Sequence, residues 1–98
     1  MSSMELEFLL TLENIIRERR ATPTDASYTA ALFAAGSRRI AQKVGEEAVE
    51  VALASTSGDR DDVINETADL VYHLLVLLAD REIRLADVTA TLAARHEA

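Results

Sequence analysis

The chain reads as an all-α protein, and three observations predict that class. No stretch alternates polar and apolar residues in the two-residue strand period, whereas several repeat at helical spacing. Hydrophobic residues make up 49%, yet only two Phe and two Tyr contribute to that share, so Leu, Ala, Val and Ile dominate. One Pro and three Gly leave few interruptions to long helices. At 98 residues the length fits one domain, 1–98, able to bury about 60–65% of its unfolded surface.

The first helix is expected over 4–20, capped by Ser3, with Leu6, Leu9, Leu10, Ile15 and Ile16 as a loose apolar face. Segment 21–27, holding Thr22, Pro23 and Asp25, reads as a connecting loop. Ser27 can cap a short helix over 28–35, which Gly36 ends or bends. Ser37 restarts the chain as a long helix over 38–55. Segment 56–61 reads as a turn, with Asp59 capping a long, strongly apolar helix over about 61–79. A break at 81–84 precedes a last helix over 85–95, where Leu85, Val88 and Leu92 fall at helical spacing. Two long helices joined by a tight loop make an antiparallel hairpin. The run 70–79 is too apolar to be covered within one chain, so a four-helix-type bundle completed in a homodimer is expected.

Composition excludes several functions. A net charge of −7, with no basic stripe interleaved with aromatics, argues against general nucleic-acid binding. Without Cys there is no disulfide framework, thiol nucleophile or Cys-based zinc site. The N-terminal MSSMELEFLL lacks a basic region and carries Glu5 and Glu7 among its apolar residues, so it is not read as a signal peptide. No apolar run reaches membrane-spanning length, and no membrane association is expected. An anionic substrate would be bound locally, through a metal and a few cations among Arg17, Arg19, Arg20, Arg38, Arg39 and Lys43.

Five acids stand out on the two long helices: Glu46, Glu47 and Glu50, then Glu66 and Asp69. Glu47 and Glu50 lie three apart, as do Glu66 and Asp69, and residues three apart share a helix face. Their partners four residues on are Val51, Ala54 and Leu70 for Glu47, Glu50 and Glu66, so the favourable basic pairing of a solvated surface is missing. Asp69 adjoins the apolar run 70–79, and burial there would demand a cation. Counted from a loop centre near residue 58, Glu50 and Glu66 lie eight residues away and Glu47 and Asp69 eleven. A hairpin thus brings both pairs to matching heights, forming a ring of oxygens suited to a hard divalent cation such as Mg²⁺.

The order Glu46-Glu47-x-x-Glu50 and then Glu66-x-x-Asp69 resembles the all-α nucleoside triphosphate pyrophosphohydrolases of the MazG-like superfamily. Within it, Ser27-Tyr28-Thr29, Leu32-Phe33 with Gly36, Lys43-Val44-Gly45-Glu46-Glu47 and Glu66-x-x-Asp69-Leu70 with Tyr72-His73 resemble the phosphoribosyl-ATP pyrophosphohydrolase family over nearly the whole chain. The resemblance implies a cytoplasmic homodimer. It also implies Mg²⁺-dependent hydrolysis of phosphoribosyl-ATP to phosphoribosyl-AMP and pyrophosphate, the second step of histidine biosynthesis. Some family members carry a fused cyclohydrolase domain; its zinc ligands are missing here, so the next step is expected from another protein.

Glu47, Glu50, Glu66 and Asp69 are taken as the metal ligands. Glu46 and Glu47 are taken as catalytic, with Glu46 a ligand, a water-orienting group or a proton acceptor. Lys43 can contact a phosphate or pair with Glu46 or Glu47. Ser27, Tyr28 and Thr29 can touch the ribosyl or base parts of the nucleotide, although Ser27 also serves as a plain N-cap. His73 can support Asp69 or be a hydrogen-bonded core residue. Two rivals share the helical fold: a housecleaning pyrophosphohydrolase for other nucleotides, and a non-catalytic partner-binding dimer. A di-iron bundle would want Glu-x-x-His pairs, which the acids do not form.

Overall fold

The computed structural model describes residues 3–24 and 26–97. Five helices follow in order: α1 (Ser3–Ala21), α2 (Tyr28–Ala35), α3 (Ser37–Ser57), α4 (Arg60–Asp80) and α5 (Leu85–His96). There is no strand among the described residues, so the fold is all-α. α1 opens at Ser3, one residue before the expected start, and Asp25 of the expected loop lies outside the described residues. Ser27 caps α2 as expected, its Oγ accepting from the Ala30 N–H at 3.1 Å. Gly36, at φ +101°, turns the chain between α2 and α3, a conformation that suits glycine alone.

α3 and α4 form the central antiparallel hairpin and share the most extensive contact in the molecule. Residues 56 and 57, expected in the turn, remain helical. Ser55, Thr56 and Ser57 donate their hydroxyls back to the carbonyls of Ala52 and Leu53, which satisfies them without leaving the helix. The connection is therefore only Gly58-Asp59. A Cβ on Gly58 would stand 2.9 Å from both the Ala54 carbonyl and the Asp62 side chain, so the hairpin closes over a position only glycine fits. Asp59 begins α4 through a reciprocal capping pair: its side chain accepts from the Asp62 N–H at 2.9 Å, and its own N–H donates to Asp62 Oδ2 at 3.2 Å.

The core draws Ile16, Leu32, Ile40, Leu75, Val76 and Ala79 from four helices, with Leu12, Phe33, Val71, Tyr72 and Leu85 packed around it. Only the second half of α4 enters this core; its buried residues are His73, Leu75, Val76 and Ala79. Leu74, in the middle of that half, stays partly open to solvent. Asp69 is exposed. The expectation that burial would force a cation onto Asp69 is thus corrected: it lies in the first half of α4, where no residue is buried, and burial begins only further along the helix at His73.

α4 ends with Glu82 at φ 58°, the Ile83 N–H bonding back to the Leu78 carbonyl at 2.8 Å and the Glu82 N–H to Ala79 at 3.0 Å. α5 contributes no buried residue. It is held by Leu85, which packs on the core, and by Glu13 of α1, a carboxylate only 6% exposed whose Oε2 accepts from the Leu85 N–H at 2.6 Å. Apolar side chains stay exposed on more than one side of α1: Phe8 toward α4, and Leu6 and Leu10 toward α5.

Candidate functional site

The hairpin delivers three of the acids to one place. One side-chain oxygen each from Glu47, Glu66 and Asp69 can be chosen so that all lie within 4.8 Å of one another. Glu66 and Asp69 share a face because they are three apart on α4, and Glu47 comes from α3, the opposing helix of the hairpin, at the same height. Glu50 stands one step outside this triad. It lines, with Glu66, Asp62 and Gly58, a cleft of about 270 Å³ toward the turn. The four expected ligands therefore appear as a triad with a neighbour rather than a closed ring.

Electrostatics mark the same place. The carboxyl of Glu66 is pushed above its ordinary range, first by partial burial and then by the negative charges of Glu50, Asp69, Glu47 and Asp62. Lys43 stands beside the triad, with Nζ 3.2 Å from Glu47 and 3.7 Å from Glu46. Its ammonium is held above its ordinary range mainly by the hydrogen bond to Glu47; burial opposes this, and Tyr28, Glu47 and Glu46 add to it. Of the two readings of Lys43, the pairing with Glu46 and Glu47 is the one the structure shows. Glu46 is turned outward. It accepts from Gln42 Nε2 at 2.9 Å, and that hydrogen bond is the main reason its carboxyl lies below the ordinary range; burial opposes it, and Lys43 and Arg39 add to it.

α2 brings Tyr28 and Thr29 against α4. Tyr28 hydrogen-bonds His73 Nε2 at 3.2 Å, and Thr29 bonds the Tyr72 hydroxyl. The two tyrosine rings lie 6.2 Å apart, and Tyr72 meets the His73 ring edge-on at 5.0 Å. His73 is buried and uses both ring nitrogens, the other bonding the Asp69 backbone carbonyl at 2.7 Å. It is thus both a hydrogen-bonded core residue and a neighbour of the acid cluster. Ser27 is committed to its cap. Tyr72 was not expected at the site. Its signal was a lone phenol in an apolar run, a group that needs a partner. Its hydroxyl finds Thr29, and burial raises its ionisation above the usual tyrosine range, with the Thr29 bond opposing and the Tyr28 charge adding.

A donor set of three carboxylates, oxygen-only and open to solvent, fits a hard cation that keeps room for water and phosphate. Comparison with known proteins identifies the setting. The family model described as phosphoribosyl-ATP pyrophosphohydrolase matches residues 9–96. The chain belongs to that family. Curated relatives similar to it carry the name histidine biosynthesis bifunctional protein HisIE. That of Photobacterium profundum is 54% identical over 91 residues, covering 93% of this chain and 44% of the relative. That of Escherichia coli O6:H1 is 53% identical over 90 residues, covering 92% and 44%. The chain thus spans less than half the length of these relatives, and the pyrophosphohydrolase family accounts for nearly all of it. No described helix is long and apolar enough to cross a membrane.

Proposed function

We propose that this chain hydrolyses phosphoribosyl-ATP to phosphoribosyl-AMP and pyrophosphate in a Mg²⁺-dependent reaction of histidine biosynthesis, working as a cytoplasmic homodimer. The observation that carries the reading is the convergence of Glu47, Glu66 and Asp69 from two antiparallel helices in a chain of this family. These three would hold the cation, with Glu50 beside Glu66 able to join them. When bound, Mg²⁺ neutralises phosphate charge and helps activate water near neutral pH.

The chain's own residues supply the rest. Lys43 places a positive charge at the edge of the acids, where a phosphate of the substrate would lie. Glu46, held at the rim by Gln42 and Lys43, orients the attacking water and takes up its proton. Tyr28 and Thr29, on α2 and held against α4 by His73 and Tyr72, face the nucleoside side of the substrate. The dimer covers the exposed apolar side chains of α1 and the groove of about 520 Å³ that Leu9, Leu12, Ile64 and Val71 line between α1 and α4.

Pyrophosphate release by purified protein with Mg²⁺, compared across phosphoribosyl-ATP, ATP and dUTP, tests the reaction. Preference for phosphoribosyl-ATP supports the reading; preference for ATP or dUTP replaces it with a housecleaning role. Sedimentation equilibrium at micromolar concentration tests the dimer, and a monomer there refutes it.

A further inference from the structure

The hydrogen-bond chain through His73 dictates which way the Tyr28 hydroxyl points its proton. The Asp69 backbone carbonyl, 2.7 Å from His73 Nδ1, can only accept. Nδ1 therefore carries the hydrogen, and in the neutral imidazole Nε2 is a bare acceptor. The Tyr28 hydroxyl, 3.2 Å from Nε2, must supply the hydrogen of that second bond. Its oxygen is left with lone pairs alone. Tyr28 nevertheless stays about half exposed, so those lone pairs remain available at the surface. It also lies near enough to Lys43 to favour the ammonium, after the larger effect of Glu47.

We infer that Tyr28 is a specificity residue fixed by His73 as a hydrogen-bond acceptor, selecting a sugar hydroxyl or base N–H of the ligand and not a phosphate. An ionised phosphate oxygen is itself acceptor-only and gains nothing from an oxygen whose hydrogen is already given away. Phosphate is left to Lys43 and to a cation on the acid triad. Lys43 and the acids thus read phosphate, and Tyr28 reads hydrogen-bond donors. His73 touches no ligand and acts as a positioning residue. Burial and the rigid α4 backbone keep its ring from turning over.

The inference rests on the nucleotide-site reading above but not on cleavage, so it is tested by binding. Calorimetry on the full chain with Mg²⁺ compares phosphoribosyl-AMP with inorganic pyrophosphate. Tyr28→Phe keeps the half-exposed ring and removes one hydroxyl. It should weaken phosphoribosyl-AMP about three- to tenfold, the range of one hydrogen bond, and leave pyrophosphate within about twofold. Equal weakening of both ligands, or of neither, overturns the assignment. His73→Asn keeps an N–H for the Asp69 carbonyl but removes the ring acceptor. Its nucleotide loss should match that of Tyr28→Phe, and the double variant should lose no more than either single one. Additive losses would overturn the positioning role, even if Tyr28 itself binds as described. Should His73→Asn fail to fold, Tyr28→Phe alone still decides. A wild type that binds neither ligand sinks the nucleotide site and this inference with it, whereas binding without turnover strikes only the proposed reaction.

Discussion

The two halves of α4 do opposite work on one continuous helix. From Arg60 to Leu70 no residue is buried, and this half carries Glu66 and Asp69. From Val71 onward the helix enters the core with His73, Leu75, Val76 and Ala79. The first half can tolerate like charges crowded together because water reaches them. The second half gives the rigidity that keeps those charges in register. A site placed on the exposed stretch of an otherwise anchored helix gains position without bearing the full cost of burying carboxylates.

The largest expected effects separate the halves cleanly. Leu75→Ala should cost about 2–5 kcal/mol in denaturant unfolding, the range for emptying a packed site, and should leave Mg²⁺ affinity of the remaining folded protein near wild type. Glu66→Gln and Asp69→Asn should do the reverse, lowering turnover by about a hundredfold or more while circular dichroism stays native-like and metal-free stability is not reduced. A stability loss from the acid variants comparable to Leu75→Ala would erase the distinction.

Next in size is the response to metal. Mg²⁺ at about a hundredfold over its dissociation constant should add about 2.7 kcal/mol to wild-type stability if one site is filled, and Asp69→Asn should lose most of that gain. A thermal melt with and without Mg²⁺ reads both. Gly36→Ala then tests the joint that sets α2 against the hairpin. At φ +101° a side chain is strained, and a loss of about 1–3 kcal/mol is expected.

The subtlest effect is one of pH. Because the Glu66 carboxyl is raised in the folded protein, its protonated form is favoured there relative to the unfolded chain. The resulting stability is fully present below the ordinary glutamate value and is lost as pH rises through the raised one. Metal-free protein should therefore lose stability across that window. Glu66→Gln should flatten the loss and melt higher than wild type above it. Urea unfolding at a series of pH values, without metal, checks this; a wild type that gains stability through the window would reverse the sign.

Local signals carried much of this design in the sequence. Ser27 and Asp59 announce their helices by side-chain chemistry acting within three residues, and both caps form as expected. The hairpin followed from two helical segments around a Gly-Asp turn. Asp69 misled because its apolar neighbours 70–79 follow it in sequence, whereas the core covers α4 only from about Val71 onward and leaves the turn that carries Asp69 open to water. Burial of Glu13 left no local trace at all, since its partner is the backbone of Leu85. The tie between Tyr28 and His73 is equally long-range, and spacing along one helix cannot reveal it.

Glu13 bears on how the chain assembles. The N-terminal end of α5 gets half of a capping box from its own sequence: Asp87 accepts from the Arg84 N–H at 3.0 Å, but Arg84 has no side-chain acceptor to return. The Asp87 N–H turns to the Arg84 carbonyl at 2.9 Å instead, and the Leu85 N–H, at the first position of the helix, is taken by Glu13 of α1 across 72 residues of chain. The start of α5 therefore depends on a contact whose loop closes only after the rest of the fold has brought α1 into place. We therefore expect α5 to form late, and in hydrogen exchange its first turn should open with the departure of α1 rather than by fraying alone.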